Sequence, residues 1–333
     1  MDNGSTAQKV LVTGGSGFVG SHLVDLLLER GYSVRCLLRN SSSTRYLKAP
    51  GLELVRGGLD DSTDWEAALD GIGVVYHVAG LTFARRPKDY FEANQRGTEE
   101  IVSAALERRN KLKKFVYISS QAAAGPSPDG APITEECQPK PISPYGQSKL
   151  MGEEAVRAAG DVMNICIIRP PAVYGPRDYA ILEVFKSVVR GVAPAIGRHD
   201  MKFSLIHVRD LVEGILLAGE SEISNGRTYF ISSDMIYSMR AVNQILAKIA
   251  GRSIRNISIP GPVAYSVAVA AEAVAAITRR PPVINRDKVR DFSQAAWACS
   301  IEAAKRDLGF RQRIPLESGL RDTFEWYKRE GWL

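Results

Sequence analysis

Thr13-Gly14-Gly15-Ser16-Gly17-Phe18-Val19-Gly20 decides how this chain is read. A short apolar run, Val10–Thr13, leads into it, and a helical pattern from Phe18 to Glu29 leads out. Each of the glycines at 14, 17 and 20 has its own task between strand and helix. The turn needs unusual dihedrals, a pyrophosphate needs close approach to the backbone, and the helix must pack tightly on its strand. Free N–H groups and the positive dipole at the helix start then face the phosphates. Gly14, Ser16, Gly17, Phe18, Val19 and Gly20 are therefore expected to hold a dinucleotide, with a purely structural turn as the alternative.

Working outward, strand and helix patterns alternate. Ser33–Leu38 and Leu52–Val55 read as strands, Asp64–Leu69 as a short helix, Val74–Val78 as a strand and Tyr90–Arg108 as one long helical stretch. Phe115–Ser119 and Asn164–Ile168 are further strands, separated by a helix starting near Tyr145. This order predicts a Rossmann-type α/β fold, a doubly wound parallel sheet with helices on both faces. Beyond Pro170-Pro171 the pattern gives way to mixed helices and short strands. Residues 1–170 are read as the dinucleotide-binding domain. Residues 171–333 are read mainly as a smaller substrate-binding lobe, partly interleaved with the sheet domain and packed on its carboxyl edge. Gly125–Pro144 is rich in proline and reads as a loop, a flap near the site.

Among 333 residues, 45% hydrophobic and 24% charged supply a sizeable core and exclude a disordered or fibrous chain. Lys and Arg number 43 against 37 Asp and Glu, and the net charge of +6 suits a phosphate-bearing ligand. No long basic run or arm is present, so nucleic acid is not an expected partner. Cys36, Cys137, Cys166 and Cys299 are scattered without a CxxC pair. A reduced, cytoplasmic protein is expected, without a disulfide framework or metal site. The first ten residues lack the basic flank and apolar run of a signal peptide, and no stretch is long enough for a membrane span. Pro262–Ile277 comes nearest and is interrupted by Glu272. It reads as a core helix, with cover of an apolar pocket or contact with a membrane surface as alternatives.

A carboxylate at the end of the second strand would bind the ribose hydroxyls of NAD, whereas a basic residue favours the 2′-phosphate of NADP. Here the strand ends Leu38-Arg39-Asn40-Ser41-Ser42, so Arg39 points to NADP(H). NAD(H) stays open, because a solvated arginine is the alternative. Tyr145-Gly-Gln-Ser-Lys149 follows the helix-start signal Ser143-Pro144. Residues four apart share a helix face, so the phenol and the ammonium project together. A free tyrosine, with a pKa of about 10, is a poor base at neutral pH, and a nearby cation would favour its phenolate. Ser119-Ser120 ends the preceding strand at the edge where such sheets place their chemistry.

Taken together, these residues resemble the extended branch of the short-chain dehydrogenase/reductase superfamily, the NAD-dependent epimerase/dehydratase type, over nearly the whole chain. The resemblance rests on Thr13–Gly20, His77-Val78-Ala79-Gly80, Asn94-Gln-Arg-Gly-Thr98, Ser119-Ser120, Tyr145 with Lys149, Arg169-Pro-Pro-Ala-Val-Tyr-Gly-Pro176 and Phe203-Ser-Leu-Ile-His-Val-x-Asp210. Pro281 to Val289 and Cys299 to Phe310 look like the 3β-hydroxysteroid dehydrogenase-like branch and its dihydroflavonol-reductase-like neighbours. The resemblance implies that Tyr145 is the general acid/base and that Ser120 hydrogen-bonds the reacting oxygen. It implies that Lys149 holds the nicotinamide ribose and stabilises the phenolate, and that Asn94 fixes the site. Val78, Ala79 and Gly80 would line the cofactor, with Pro170 and Val173 against the nicotinamide. In reduction, hydride goes to a carbonyl carbon while Tyr145 protonates the oxygen. A homodimer through Tyr90–Arg108 and Tyr145–Ala159 is also suggested.

Two positions depart from the family pattern. Gly58 stands where an aspartate often contacts adenine, which leaves Asp60 as the carboxylate for that role. Thr82 stands where some sugar epimerases carry lysine. Phe203 and Ser204 occupy the place where nucleotide-sugar enzymes commonly put an arginine. That exchange favours a hydrophobic steroid-, flavonoid- or acyl-like substrate, contacted by Thr82, Gln121, Tyr174, Arg177 and Phe203. Alternatively, Phe203 is strand core and Arg177 or Arg198 serves a phosphate. His77 and His207 read as structural. The leading function is an NAD(P)(H)-dependent oxidoreductase of secondary alcohols and ketones. A nucleotide-sugar epimerase or dehydratase with a retained cofactor is the second. A non-catalytic NADP(H) redox sensor is the third, and the intact Ser120, Tyr145 and Lys149 argue against it.

Overall fold

The computed structural model describes residues 8–196, 200–278 and 285–333. The first seven residues, Arg198, and the start of the Pro281–Val289 segment lie outside the described residues. The first half runs β1 (Lys9–Thr13), α1 (Phe18–Glu29), β2 (Ser33–Leu38), β3 (Glu53–Arg56), α2 (Trp65–Leu69), β4 (Val74–His77) and α3 (Pro87–Phe91). A π-helical turn (Glu92–Arg96), α4 (Gly97–Glu107), β5 (Lys114–Ile118), α5 (Gln121–Ala124), α6 (Pro144–Ala158) and β6 (Ile165–Arg169) follow. The second half holds β7 (Ala172–Tyr174), α7 (Leu182–Val189), β8 (Val192–Ile196), β9 (Lys202–His207), α8 (Val208–Glu220), β10 (Arg227–Phe230) and β11 (Ile236–Ser238). It ends with α9 (Met239–Ala250), β12 (Arg255–Ile259), α10 (Gly261–Thr278), α11 (Arg286–Phe292), β13 (Ala296–Trp297), α12 (Glu302–Leu308) and α13 (Leu316–Arg329).

Seven strands form one fully parallel sheet in the order β3-β2-β1-β4-β5-β6-β10. Its central strands are continuous apolar runs because both faces are covered. Leu23, Leu27, Leu211 and Ile215 from α1 and α8 fill one face, and Ile101, Ala105 and Val156 from α4 and α6 fill the other. The strand order reverses between β1 and β4, so the crevice beyond their carboxyl ends is where such a sheet takes its ligand. In the lobe, β9 is flanked by β7, β11 and β13, and β8 pairs with β12. Its core gathers Tyr174, Phe185, Phe203, Leu246, Trp326 and Tyr327.

Three expectations are corrected. The single helix expected over Tyr90–Arg108 starts at Pro87 and is broken by the π-helical turn, which widens the coil to let Asn94 turn inward. The pattern break after Pro171 does not end the sheet, because β10 supplies its last strand. The apolar helix α10 is not core. Val263, Tyr265, Val267 and Val274 are exposed, and Ala264 and Ala268 are its buried positions among the described residues. The proline-rich stretch is a loop as expected, fastened to the lobe by Ser127 Oγ, which donates to the Ala298 carbonyl at 2.9 Å, and by a bridge from Ile133 to Cys299.

A buried ion pair ties together the three elements that carry the site. Arg169, at the end of β6, donates from Nε and Nη2 to the two carboxylate oxygens of Glu153 on α6, at 2.8 and 2.6 Å. Ser119, just past β5, adds a 2.6 Å hydrogen bond to Oε1, and Arg157 reaches Oε2 at 3.1 Å. Burial alone would raise the Glu153 pKa, but the Arg169 hydrogen bonds and charge, Ser119 and Arg157 together hold it below the ordinary value. Fork geometry of this kind fixes orientation as well as charge.

Removing one member strands the other inside the protein. Glu153→Ala should lower unfolding free energy by about 3–5 kcal/mol in urea titrations. Because the folded pKa is depressed, the contribution of Glu153 is fully present above the ordinary carboxylate range. It should fade as pH falls through that range, and the gap between wild type and Glu153→Ala should narrow in acid.

Candidate active site

At the phosphate end the glycines do what their spacing requires. Gly14 has φ +70°, and a Cβ there would lie 2.6 Å from the Ala79 nitrogen. A Cβ on Gly20 would lie 2.1 Å from the Gly14 oxygen. The cap residue Gly17 offers no side chain to the start of α1, which leaves the first N–H groups of the helix for a ligand. Ser16, Phe18 and Val19 are partly exposed around this turn. The observed cradle therefore fits a pyrophosphate.

Beside it, Val78, Ala79 and Gly80 leave the end of β4, with Val78 and Ala79 half-buried and Gly80 exposed. Thr13 Oγ1 accepts from the Ala79 N–H at 3.2 Å and pairs with His77 Nδ1 at 2.7 Å. His77 Nε2 pairs with Thr98 Oγ1 at 3.1 Å. Burial, aided by the charge of Lys149, lowers the His77 pKa to about 3, so the ring is a neutral strut.

Arg39, expected near the adenosine, is exposed after β2, and sequence reasoning missed its neighbour Arg56 at the end of β3. Arg56 Nη1 donates to the Arg39 carbonyl at 3.0 Å, and neither guanidinium has a carboxylate partner among the described residues. The signal for Arg56 was its place at a neighbouring strand end. The Asp60 carboxylate is engaged in its own turn, accepting from the Ser62 N–H at 3.1 Å and from the Ser62 hydroxyl. It lies over Gly58, where a Cβ would be 2.3 Å from Oδ2.

The residues expected to react come together where β4, β5 and β6 end. Ser143 accepts from the Gly146 N–H at 3.2 Å and starts α6, with Pro144 in its first turn, so that Tyr145 and Lys149 share a face. Ser120 caps α5 by accepting from the Ala122 N–H at 3.1 Å, and its side chain lies near enough to Tyr145 to favour the phenolate. The Tyr145 ring stands 5.8 Å from that of Tyr90. Burial raises the Tyr145 pKa to about 12, against the lowering effect of Ser120.

Lys149 differs from the simple expectation that a cation beside the phenol favours the phenolate. Its Nζ donates to the Ile118 carbonyl at 2.7 Å and sits 4.3 Å from the centre of the Tyr117 ring. Burial lowers its pKa to about 7, partly offset by Glu153. The arrangement keeps Tyr145 a protonated phenol and Lys149 near its titration point. Asn94 acts on backbone: Oδ1 accepts from the Leu81 N–H at 2.7 Å, and Nδ2 donates to the Leu81 carbonyl at 3.0 Å and to Ser148 Oγ at 2.9 Å. Ser119, engaged by Glu153, is structural.

The residues expected to meet substrate do not all come together. Gln121 adjoins Ser120, is 3% exposed, and has an Nε2 without a hydrogen-bond partner. Its N–H donates at 2.8 Å to the carbonyl of buried Pro170, with half-buried Val173 further along. Thr82 is exposed. Tyr174 and Phe203, in contrast, are lobe core. Tyr174 packs edge-on against His207 at 5.2 Å, and Phe203 sits in β9 between Tyr237 and Trp297. Arg177 pairs with Asp25 on α1 at 2.8 Å and lies over Tyr46 at 4.7 Å, so it joins lobe to sheet. Sequence alternation could not tell the core face of β9 from a substrate-facing one. His207 is half satisfied: Nδ1 accepts from the Arg209 N–H at 3.3 Å, while Nε2 has no hydrogen-bond partner and lies 3.8 Å from Asp322.

Two substitutions test this geometry. Gly14→Ala should abolish dinucleotide binding in a fluorescence titration while the chain stays folded by circular dichroism. Asn94→Ala leaves both polar groups of Leu81 without partners, and each buried group lost costs about 1–3 kcal/mol. Urea titration should show a loss on that scale.

Comparison with known proteins gives the family of the chain. The sequence model of the NAD dependent epimerase/dehydratase family matches residues 10–232. The chain is 31% identical over 334 residues to a putative dihydroflavonol 4-reductase of Synechocystis sp., covering 97% of this chain and 95% of that protein. It is 28% identical over 345 residues to a 3 beta-hydroxysteroid dehydrogenase/Delta 5-->4-isomerase of Mycobacterium tuberculosis, covering 96% of this chain and 90% of that protein. The crystal structure of gox2253 superimposes with a TM-score of 0.81 at 27% identity, covering 97% of this chain and 99% of that one. With the glycine cradle at one end of the crevice and Ser120, Tyr145 and Lys149 at the other, the chain belongs to the NAD-dependent epimerase/dehydratase family, and is an enzyme of the extended short-chain dehydrogenase/reductase type.

Proposed function

We propose that this enzyme interconverts a ketone and a secondary alcohol on an apolar molecule, with NADP(H) as the preferred dinucleotide. The observation that carries the reading is the placing of Tyr145 and Lys149 on one face of α6, set by the Ser143 cap, with Lys149 tied to the end of β5 and Ser120 just beyond it at the carboxyl edge of the sheet. The dinucleotide, when bound in the glycine cradle, supplies or accepts hydride. In reduction, Tyr145 Oη gives its proton to the carbonyl oxygen, and Ser120 Oγ donates a hydrogen bond to the same oxygen. Asn94 holds the Leu81 backbone beside them.

Phe203 no longer supports an apolar substrate, since it is lobe core. Two other observations do. Arg177 is engaged by Asp25 and Tyr46, so it is not a free clamp for a diphosphate. The matched relatives are named for flavonol and steroid conversions. Preference for NADP(H) is supported by Arg39 and Arg56, two exposed guanidiniums at adjacent strand ends where a 2′-phosphate would lie. Contact of the exposed apolar face of α10 with a membrane surface belongs to the same reading. The second reading is a nucleotide-sugar epimerase or dehydratase, favoured by the family that matches residues 10–232.

NADPH absorbance, followed with hydrophobic ketones and with nucleotide sugars, separates the two. Net consumption with a ketone is expected, and Tyr145→Phe should lower kcat by about a hundredfold or more while leaving NADPH binding intact. Conversion of a nucleotide sugar without net consumption would overturn the reading. Replacing Arg39 and Arg56 together by Ala should weaken NADPH binding by about tenfold or more, with little change for NADH.

A further inference from the structure

The mechanism leaves one buried acceptor atom, on a helix tethered to the segment before Tyr145, without a task. Asp291 lies on α11, far along the chain from the motifs that identify the site. Its Oδ1 is buried and has no hydrogen-bond partner, and the residue makes no ion pair among the described residues. α11 is held across both segments that flank the reactive groups. Lys288 Nζ lies 4.5 Å over the Phe83 ring, next to Thr82, and Arg290 Nη1 donates to the Ile142 carbonyl, three residues before Tyr145, at 2.8 Å. Trp297 Nε1 donates to the Asp291 backbone carbonyl at 2.9 Å and fixes the end of the helix.

So placed, the Asp291 carboxylate acts electrostatically on both Tyr145 and Tyr90. Its neighbour on the same face is Asp287, one turn earlier, whose partner is Arg290 at 3.7 Å. Burial first, and then the charge of Asp287, raise the Asp291 pKa to about 7, against a lowering effect from Arg290.

A buried acceptor left without a donor carries the desolvation penalty of the group, and native proteins seldom keep one without a use. Helping Tyr145 toward phenolate is not that use, because a negative neighbour opposes ionisation. What remains is a free acceptor on a helix tethered to both segments that flank Tyr145. Resting on the ketone-reductase reading, we infer that Asp291 selects a substrate carrying a hydrogen-bond donor, a hydroxyl or an amide N–H, on the carbon next to the reacting carbonyl or the one beyond it. The donor would bond to Oδ1 while the carbonyl oxygen lies between Tyr145 and Ser120. A site built around such a bond rejects the analogue that lacks the donor far more strongly than an apolar wall could.

The test uses the full chain with NADPH and two matched sets of long-chain ketones, one plain and one with a hydroxyl or acylamino group beside the carbonyl. Wild type should favour the donor-bearing set in kcat/KM by about tenfold or more. Asp291→Leu should remove that preference while changing kcat/KM for the plain set by less than about threefold, as expected where no hydrogen bond to the residue is lost. Asp291→Asn, which keeps the shape and a weaker acceptor, should fall between. Equal loss on both sets in both folded variants would make Asp291 a partner of Tyr145 alone and overturn the inference. So would a wild type without preference, although the reductase reading would then stand. Wild type that consumes NADPH with neither set removes that reading and this inference together.

Discussion

Gly14 carries its carbonyl into the space a side chain on Gly20 would fill, and its own Cα lies against the backbone of Ala79. That double approach sets the distance between β1, the start of α1 and the exit of β4, and the rest of the site is measured from it. Thr13 and His77 are locked through a hydrogen bond at the two strand ends, so the segment from Val78 to Gly80 leaves β4 in one direction. Leu81 then falls under Asn94, Asn94 reaches Ser148, and Ser148 stands one residue before Lys149 on α6. The phosphate cradle and the phenol are thus joined by a continuous set of short, buried contacts.

The protonation of the site follows from dryness more than from charge pairing. Tyr145 is held as a phenol and Lys149 is brought near neutrality by the same loss of water. Glu153, one turn beyond Lys149, stays ionised only because Arg169, Ser119 and Arg157 replace the water it gave up.

Much of this was legible in the sequence, and the reasons differ by element. α1 and β2 match their expected bounds because a glycine turn and continuous apolar runs bracket them. Tyr145 and Lys149 could be placed on one face from the sequence because their spacing within a single helix already fixes that geometry. The π-helical turn was not legible, since an apolar stripe does not record one extra residue in the coil. Tyr174, Arg177 and Phe203 were misplaced because the lobe is assembled from short strands whose buried face depends on distant partners such as Asp25, Tyr237 and Gly319. Asp291 was invisible for the same reason: only the fold ties α11 to the segment before Tyr145. Arg56 could have been found by asking which side chains end strands next to β2.

The last strand of the sheet also governs how the chain reaches this state. β6, with its run Ile165-Cys-Ile-Ile-Arg169, gains its outer partner only when Arg227–Phe230 arrives. While a nascent chain emerges from the ribosome, the site-bearing strands are complete well before that partner is available. For this interval β6 is an open apolar edge, the kind of surface that pairs with a second copy. The intervening residues build much of the lobe, so its folding on the sheet and the closing of that edge are one late event. The chain is therefore most exposed to misassociation after its reactive groups have been made and before the strand that protects them has joined.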